Sequence, residues 1–364
     1  MAGTGTGGTN DGFRDISTFS QPSGIVFNSA SRVFYVTDDA GQKIRKIDSS
    51  GQVSTLSGSG TDGFLNGPKD LAMFSNPNDI VMDPQGNLYV SDWNNHCLRK
   101  VLSSSGFVST LAGDCTNPGF RNGISSNSLF RNPSGLFLDG NNLYVADFWN
   151  HVIRVINILS DSVTTFAGTG TSGSTDGPLS IATLSNPIDI AKDTKGNMFV
   201  TEGLTHRIRK ISGGFVSLFA GSSQGYANGP PNIAKFNKPN GIVIDSLNNL
   251  YVSDENNHVI RKINESGYVS TFSGTSSNSV INGLAFKSEF MNPRYLDIDG
   301  NGNIYATDYK ANNVRAIYNL ETIDKSLFFA NDSWLCTTGY CTETLLATKT
   351  VDNLQVMNIF LARN

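Results

Sequence analysis

The sequence predicts an all-β chain that folds as a six-bladed β-propeller with four antiparallel strands in each blade. One observation is a repeat of 52 to 56 residues, opened each time by a proline: Pro22, Pro77, Pro133, Pro187, Pro239 and Pro293. Another is that each repeat holds four short runs rich in Val, Ile, Phe, Tyr and Thr, separated by turn residues. Repeats of this length are typical of stacked or radial architectures. A ring of four-stranded blades also leaves no long exposed sheet edge.

The second repeat shows the four predicted strands, called A to D, at residues 79–83, 88–92, 97–102 and 107–112. No segment between such strands has the length or the 3.6-residue period of a substantial helix. In the last repeat, residues 326–330 fit the pattern of strand D. Residues 1–3 fit the end of the same strand, so the sequence leaves two candidates for closing the ring.

We divide the chain into a propeller at residues 1–330 and a C-terminal tail at residues 331–364. The tail holds a short loop between Cys336 and Cys341, followed by two apolar runs at 345–351 and 354–362 that predict a β-hairpin. Because an isolated hairpin is marginally stable, we expect it to pack on the propeller or on another chain. Self-assembly through the tail is one prediction, and docking on the chain's own ring is the other.

Composition limits the possible partners. The chain has a net charge of −4 and only 16% charged residues, which gives no basic surface and disfavours nucleic acid. No apolar stretch approaches the roughly 18 residues of a membrane span. Met1 runs directly into Gly- and Thr-rich turn sequence, as at the boundary between two repeats. We therefore expect a trimmed start or a missing upstream strand.

The cysteines form two short-range pairs, Cys97 with Cys115 and Cys336 with Cys341. An even number in close pairs favours disulfides and an oxidising compartment. Glycosylation sequons begin at Asn264 and Asn331 and favour the same compartment. We therefore expect an extracellular or cell-surface protein, with buried free thiols in a cytosolic protein as the alternative.

Three runs resemble the NHL repeat: NLYVSDWNNHCLRKV, NLYVADFWNHVIRVI and NLYVSDENNHVIRKI, which begin at Asn87, Asn142 and Asn249. The resemblance extends over residues 1–330 and implies a six-bladed propeller. It also implies a choice of roles: ligand or protein docking, RNA binding in some members, and an amidating lyase in one branch. The acidic composition disfavours the RNA role. The lyase role is not supported, because every histidine occupies the same slot of the repeat.

Two residue types recur at fixed positions and are expected to be structural. Histidines occupy the turn between strands B and C: His96, His151, His206 and His258. Equivalent turns lie on the order of 10 Å or more from the ring axis, too far apart to share a zinc ion. Arginines recur on strand C and are expected to pair with the acid that ends strand B: Arg45, Arg99, Arg154, Arg209, Arg261 and Arg315.

Asp297, Asp299, Asn301 and Asp308 fit the spacing of a calcium-binding loop. Aligned with the other repeats, however, the same segment is the hairpin between strands A and B. We favour the hairpin and keep calcium as the alternative.

The most informative residues are those that break the repeat. Strand A begins beside the central channel, where glycine is the common residue, but Asp79, Asp189, Arg294 and Tyr295 depart from that pattern. Carboxylates at a channel mouth can hold a cation or act as acid–base groups. Trp93 and Trp149 decorate the B–C turns and predict either a stacking surface or loop anchors. These six residues are the predicted ligand-binding set.

The favoured function is a non-catalytic protein- or glycan-interaction module of an extracellular or surface protein, with no catalytic residue and no required cofactor. The alternative is a metal-dependent hydrolase or lactonase of the six-bladed type. In that alternative, Asp79 and Asp189, with Asn78 and Asn240, would surround a calcium-like ion. No hydrolase, metalloprotease or phosphate-binding motif is present.

Overall fold

The computed structural model describes residues 2–318, which form six antiparallel sheets arranged in a ring. Strand A of each blade is innermost and packs against strand A of the next blade. Strand A of blade 6 packs against strand A of blade 1, which closes the ring. The predicted all-β, six-bladed propeller is therefore confirmed.

The blades follow each other in chain order, and their strands A to D have these bounds. Blade 1 comprises Pro22–Asn28, Val33–Asp38, Lys43–Ile47 and Gln52–Ser57. Blade 2 comprises Pro77–Met82, Asn87–Asp92, Cys97–Leu102 and Val108–Ala112. Blade 3 comprises Pro133–Asp139, Asn142–Asp147, Val152–Asn157 and Ser162–Ala167.

The second half of the ring has the same plan. Blade 4 comprises Pro187–Lys192, Met198–Glu202, Arg207–Ser212 and Phe215–Ala220. Blade 5 comprises Pro239–Ile244, Leu250–Asp254, Val259–Ile263 and Val269–Ser273. The described strands of blade 6 are Pro293–Ile298, Ile304–Asp308 and Asn313–Ile317.

Short elements decorate the outside of the blades and the turns. Blades 1, 3 and 4 carry a two-residue fifth strand paired with strand D, formed by Gly12–Phe13, Gly123–Ile124 and Gly177–Pro178. One-turn 3₁₀ helices occur at Ser125–Asn127, Phe148–Asn150 and Glu255–Asn257. The last two lie in B–C turns, the connections that carry the recurring histidine.

Strand A begins at its proline, two residues earlier than the sequence predicts in blade 2. Pro77 pairs with Asp92, the register then shifts, and regular pairing resumes at Ile80 with Val90. Proline has no N–H to donate, so it is tolerated as the first residue of a strand. The same shift after the proline recurs in all six blades.

The hydrophobic core is divided into layers between neighbouring blades, since each sheet buries both faces. One layer joins Tyr35 and Ile44 of blade 1 to Leu88 and Val90 of blade 2. The segments that precede strand A, called D–A linkers, each contribute a large apolar residue to these layers. The fully buried phenylalanines among them are Phe19, Phe74, Phe130, Phe236 and Phe290.

The N-terminal residues take part in closing the ring. Ala2 forms an antiparallel bridge with Val314 on strand C of blade 6. Gly3 has a φ of 101°, and the glycines that follow strand D in the other blades have φ between 95° and 106°. Ala2 therefore lies where strand D ends in the other blades. The competing candidate, residues 326–330, and the whole predicted tail lie outside the described residues.

Within residues 2–318, the structure contains no helix that is long and apolar enough to span a membrane.

Candidate functional site

The recurring arginines are structural, as predicted. Each is buried and lies 2.5 to 3.4 Å from the acid that ends strand B of its own blade. In blade 3, Arg154 also donates to the carbonyls of Leu129 and Arg121 and to Asn122. Each arginine thus fastens its D–A linker to strand C. Burial raises the pKa of Asp147 to about 6.

The recurring histidines connect one blade to the next. The Nδ1 atoms of His96, His151 and His206 accept the backbone N–H of Asn132, Asn186 and Lys238, each the residue before the next blade's proline. These distances are 3.0 to 3.2 Å. Gln42 and Asn312 make the same bond through side-chain oxygens, to the N–H groups of Asn76 and Gln21. We call these five contacts the inter-blade latches.

The latches explain the residue types in the turn. All five acceptor residues have φ between 52° and 59°, a left-handed conformation in which Asn and His are enriched. At the junction of blades 5 and 6, His258 instead contacts the carbonyl of Met291. Burial lowers the pKa of His96, His151 and His206, which keeps the accepting nitrogen free. His96, His151 and His206 therefore have a structural role, since each joins its blade to the next one.

Glycine and larger residues alternate around the central channel from one blade to the next. The third residue of strand A is Gly24, Gly135 and Gly241 in blades 1, 3 and 5, and Asp79, Asp189 and Tyr295 in blades 2, 4 and 6. A Cβ built on Gly135 would lie 2.5 Å from Asp189 Oδ1, and one on Gly24 would lie 2.9 Å from Asp79 Oδ1. Each glycine therefore leaves room for the large residue of the next blade. We call Asp79, Asp189 and Tyr295 the channel layer.

The carboxylates of the channel layer accept backbone hydrogen bonds at the open inner edge of strand A. Asp79 Oδ2 accepts the N–H of Leu136 at 2.7 Å, and Asp189 Oδ2 accepts that of Ile242 at 2.8 Å. The hydroxyl of Tyr295 lies 3.0 Å from that of Ser134, on the opposite side of the ring. The layer therefore joins non-neighbouring parts of the chain.

Asp297 of blade 6 also accepts backbone N–H groups, from a position on strand A two residues after Tyr295. Its Oδ2 accepts the N–H of Phe27 in blade 1 at 2.6 Å, and its Oδ1 accepts the N–H of Ile298 at 2.8 Å. Sequence reasoning considered this residue only as part of a hairpin or calcium loop. The hairpin is present, since the backbone N–H of Asp299 donates to the carbonyl of Asn303. The missed signal was an acid where the other repeats carry Val26, Val81, Phe137, Ala191 and Val243.

Burial dominates the electrostatics of the channel. It raises the pKa of Asp189 and of Asp297 to about 7. Burial, and next the negative charge of Asp189, raise the pKa of Asp79 well above its ordinary value. The pKa of Tyr295 is also raised, first by burial and then by Asp79 and Asp189.

Arg294 lies on the other side of the channel layer, at the mouth formed by the B–C turns. Its guanidinium donates to Asp39 at 2.9 Å and to Asn78 at 3.2 Å, and it lies 4.3 Å from the ring centroid of Tyr309. Burial disfavours the charge of Arg294, but Asp39 and then Tyr309 favour it, and the pKa of Arg294 is raised overall. The sequence predicted Arg294 as a site residue but not its partner Asp39.

A cavity of about 230 Å³ lies on the side of the channel layer away from Arg294, and strand A of all six blades lines it. Asp79, Asp189, Asp297 and Tyr295 contribute its polar groups, together with Lys192. We call this space the channel cavity. Three of the predicted site residues, Asp79, Asp189 and Tyr295, therefore line one cavity.

Trp93 and Trp149 lie apart from the channel layer, on the B–C turns of blades 2 and 3. Phe148 connects them, with ring centroids 5.0 Å from Trp93 and 5.2 Å from Trp149. Trp149 is 45% exposed. Arg131 is exposed nearby, and its charge helps to lower the pKa of both His96 and His151. We call Trp93, Phe148 and Trp149 the aromatic patch.

Cys97 and Cys115 are joined by a disulfide, with Cα atoms 4.9 Å apart. This matches the pairing predicted from sequence. Cys336, Cys341 and the sequon at Asn331 lie outside the described residues, whereas Asn264 is exposed on the hairpin between strands C and D of blade 5.

Within residues 2–318, no three His, Cys, Asp or Glu side chains converge as metal ligands. The two acids of the calcium alternative, Asp79 and Asp189, instead bind backbone N–H groups. Asn78 and Asn240, named with them, bind other side chains: Asn78 donates to Ser134 and Asn240 donates to Glu255.

The family profile of the NHL repeat matches residues 74–101 and 236–263, which cover strands A to C of blades 2 and 5. The chain is 25% identical over 281 residues to SUPPRESSOR OF QUENCHING 1 of Arabidopsis thaliana, a match covering 72% of this chain and 27% of that protein. It is 28% identical over 205 residues to human NHL repeat-containing protein 2, covering 48% and 28%. The matches thus span little more than a quarter of these relatives.

Solved structures share the fold. An auxiliary nutrient binding protein from Bacteroides thetaiotaomicron has a TM-score of 0.65 at 15% identity, covering 87% of this chain and 74% of that one. A gluconolactonase from Xanthomonas campestris has a TM-score of 0.56 at 12% identity, covering 80% and 84%. Identities this low show the fold alone. The chain thus carries NHL repeats in blades 2 and 5 of a six-bladed propeller, and it is similar in sequence to NHL repeat-containing proteins.

Proposed function

We propose that the propeller is a non-catalytic interaction module that binds a protein or glycan partner through the end of the ring carrying the B–C turns. The aromatic patch carries this proposal. Trp and Arg are among the residue types most enriched at binding hot spots, and here the backbone N–H of the exposed Trp149 donates to the carbonyl of the exposed Arg131 at 3.1 Å. A tryptophan face also stacks on sugar rings as readily as it packs on protein.

Nothing in the repeat requires these aromatics. The residue at the position of Trp149 is Ala40, Asn94, Leu204, Asn256 or Lys310 in the other blades, and those blades still fold. The family relationship supports a binding role, as does the nutrient-binding description of one propeller with this fold. The exposed sequon at Asn264 and the disulfide between Cys97 and Cys115 support an extracellular or surface location.

The proposal is tested with the Trp149→Ala variant and the matched Leu204→Ala control, which occupies the same repeat position and is 56% exposed. Binding of the full chain to a printed oligosaccharide array tests the glycan partner. A photo-crosslinking amino acid at position 149 or 204 tests the protein partner. We expect Trp149→Ala to weaken the binding of a purified partner at least tenfold, which corresponds to about 1.4 kcal/mol of binding free energy. Equal binding by both variants contradicts the proposal.

The lactonase alternative rests on the pair Asp79 and Asp189 near the channel mouth. It requires a divalent ion that is held by these acids. Metal analysis of the purified protein and of the Asp79→Ala variant decides it: tight, stoichiometric calcium lost in the variant would support the enzyme. Unchanged metal content would remove it.

A further inference from the structure

The channel cavity lies at the opposite end of the ring from the aromatic patch. Each strand A runs from its proline, at the end carrying the B–C turns, towards the hairpin between strands A and B. The cavity lining begins at the channel layer and continues towards those hairpins, for example from Asp189 to Lys192 and from Tyr295 to Ile298. The channel layer thus separates the cavity from Arg294.

The cavity is apolar on its sides and acidic at particular points. Most of its lining is Ile, Val, Leu and Phe, including Ile80, Val81 and Phe137. Concave, largely apolar spaces with a few fixed polar groups are the usual form of a small-molecule site. An apolar cavity of about 150 Å³ accommodates benzene. At about 230 Å³, this one can hold a six-carbon ring with one polar substituent.

The acids of the cavity are held in fixed orientations. Asp189 accepts the N–H groups of Ile190 and Ile242, and Asp297 accepts those of Ile298 and Phe27. A carboxylate has about four lone-pair positions, so each retains capacity to accept a further donor. Because the donors are backbone groups of the ring itself, the carboxyl groups need no rearrangement to receive a ligand.

The charges lining the cavity are unbalanced. Asp79 and Asp189 are buried, Asp297 is partly buried, and the lining contains one base, Lys192. Lys192 is already 2.5 Å from a carboxylate oxygen of Asp139 outside the lining. A buried carboxylate without a counter-charge is costly, so a cation that enters the cavity gains the attraction of all three acids.

We infer that the channel cavity binds a small organic ammonium ion: an apolar body of about six carbons in contact with the aliphatic walls, with a charged N–H head that donates to the carboxylates. The shape and the polarity of the cavity specify different parts of this ligand. The walls select the carbon body, and the oriented acids select the head. The binding is separate from the proposed partner site on the B–C turns.

Isothermal titration calorimetry and thermal unfolding of the full chain test this, with cyclohexylammonium as the probe. Cyclohexanol and cyclohexanecarboxylate have similar bodies with neutral and negative heads. We expect saturable binding of the ammonium, at least tenfold weaker binding of the alcohol, and none of the carboxylate. Binding should weaken from pH 8 to pH 5.5, because Asp189 and Asp297, whose pKa values burial raises to about 7, take up protons in this range. The other titratable groups that line the cavity are Asp79, Lys192 and Tyr295.

Two variants act on different parts of the site. Asp189→Asn removes one acid, and Val81→Phe fills the cavity with the residue that blade 3 carries at that position, Phe137; each should weaken binding at least tenfold. Asp83→Asn is the matched control, since Asp83 is buried but accepts from Asn87 and Tyr89 outside the cavity. Asp83→Asn and Trp149→Ala should bind the ammonium like the wild type.

The inference is overturned if the wild type shows no saturable binding, if the alcohol binds as well as the ammonium, or if Val81→Phe retains full affinity. Saturable calcium binding that Asp189→Asn removes would assign the cavity to a metal ion, which also overturns it. Trp149→Ala changes only the aromatic patch. If the cavity binds no ammonium ion, the proposed interaction module is therefore unaffected. If the aromatic patch binds no partner, the proposed ammonium site is likewise unaffected.

Discussion

The outer half of each blade obeys the repeat, whereas the inner strand and the mouth of the channel break it. The arginine–acid pair is present six times and the inter-blade latch five times. At the channel, by contrast, three glycines alternate with two aspartates and a tyrosine. Repetition therefore marks what builds the ring, and departures mark what distinguishes this ring from others with the same plan.

Arg154→Met should have the largest effect, because it removes a group that the repeat uses in every blade. It leaves Asp147 buried without its partner, a change that costs about 3–5 kcal/mol. Denaturant unfolding measures this against Arg131→Ala, an exposed arginine expected to change stability by less than about 0.5 kcal/mol. Similar losses for both arginines would erase the distinction between repeated and unrepeated positions.

Removing the disulfide should follow in size. Cys97 and Cys115 are 18 residues apart, and closing a loop of about that length is worth roughly 3 kcal/mol. The double variant Cys97→Ser/Cys115→Ser should lower the unfolding free energy accordingly while the ring still forms. Reduction of the wild type should give the same loss; a variant as stable as the oxidised protein would show that the linker needs no covalent tie.

Gly135→Ala tests the alternation in the channel. The added Cβ would lie 2.4 Å from the carbonyl oxygen of Ile188 and 2.5 Å from Asp189, so overpacking should cost about 1–3 kcal/mol. Gly300→Ala, where a Cβ meets nothing within 4 Å, is the control. A stability loss no larger than that of Gly300→Ala would mean that the channel layer can move aside.

The smallest change in folding stability is expected from pH. Only the histidine latches should respond to it, because the side chains of Gln42 and Asn312 do not titrate. Burial lowers the folded-state pKa of His96, His151 and His206, so the unfolded chain binds protons first. The latches stabilise fully above a pH of about 6.5, the unfolded value, and this stability is lost as the pH falls through the folded pKa. His151→Asn should therefore flatten the stability profile below that pH.

The dependence of stability on pH for His151→Asn should be compared with that of the wild type by subtraction. Asp189 and Asp297 have raised pKa values, so their protonation stabilises the folded state as the pH falls, whereas protonation of the histidines destabilises it. Asn312 already makes the same latch in blade 6, so the ring should tolerate the change. Parallel profiles for the two proteins would show that protonation leaves the latch intact.

The ring could be predicted because the same structural residues recur in every repeat. The prolines, the acid that ends strand B and the arginine of strand C recur, so strand order and core pattern follow from any one repeat. Asp79, Asp189, Arg294 and Tyr295 were also found, because they differ from glycine or serine at an aligned position. What could not be predicted was how these residues combine across the channel.

Asp297 illustrates the limit. Its partner, the N–H of Phe27, is 270 residues away and becomes adjacent only when blade 6 meets blade 1. Asp39 is equally remote from Arg294 in sequence, with a separation of 255. A local pattern that resembled a calcium loop also gave Asp297 another interpretation. Contacts that depend on ring closure carry no local signal, whereas those within a repeat do.

The alternation in the channel has a consequence for how such a chain can grow or shrink. Each glycine accommodates the large side chain of the next blade, so the natural unit is a pair of blades rather than a single blade. A five- or seven-bladed descendant would place two glycines or two large residues side by side. Gain or loss of a single repeat is therefore disfavoured, because it gives an odd number of blades. Duplications or deletions should change the number of blades by two.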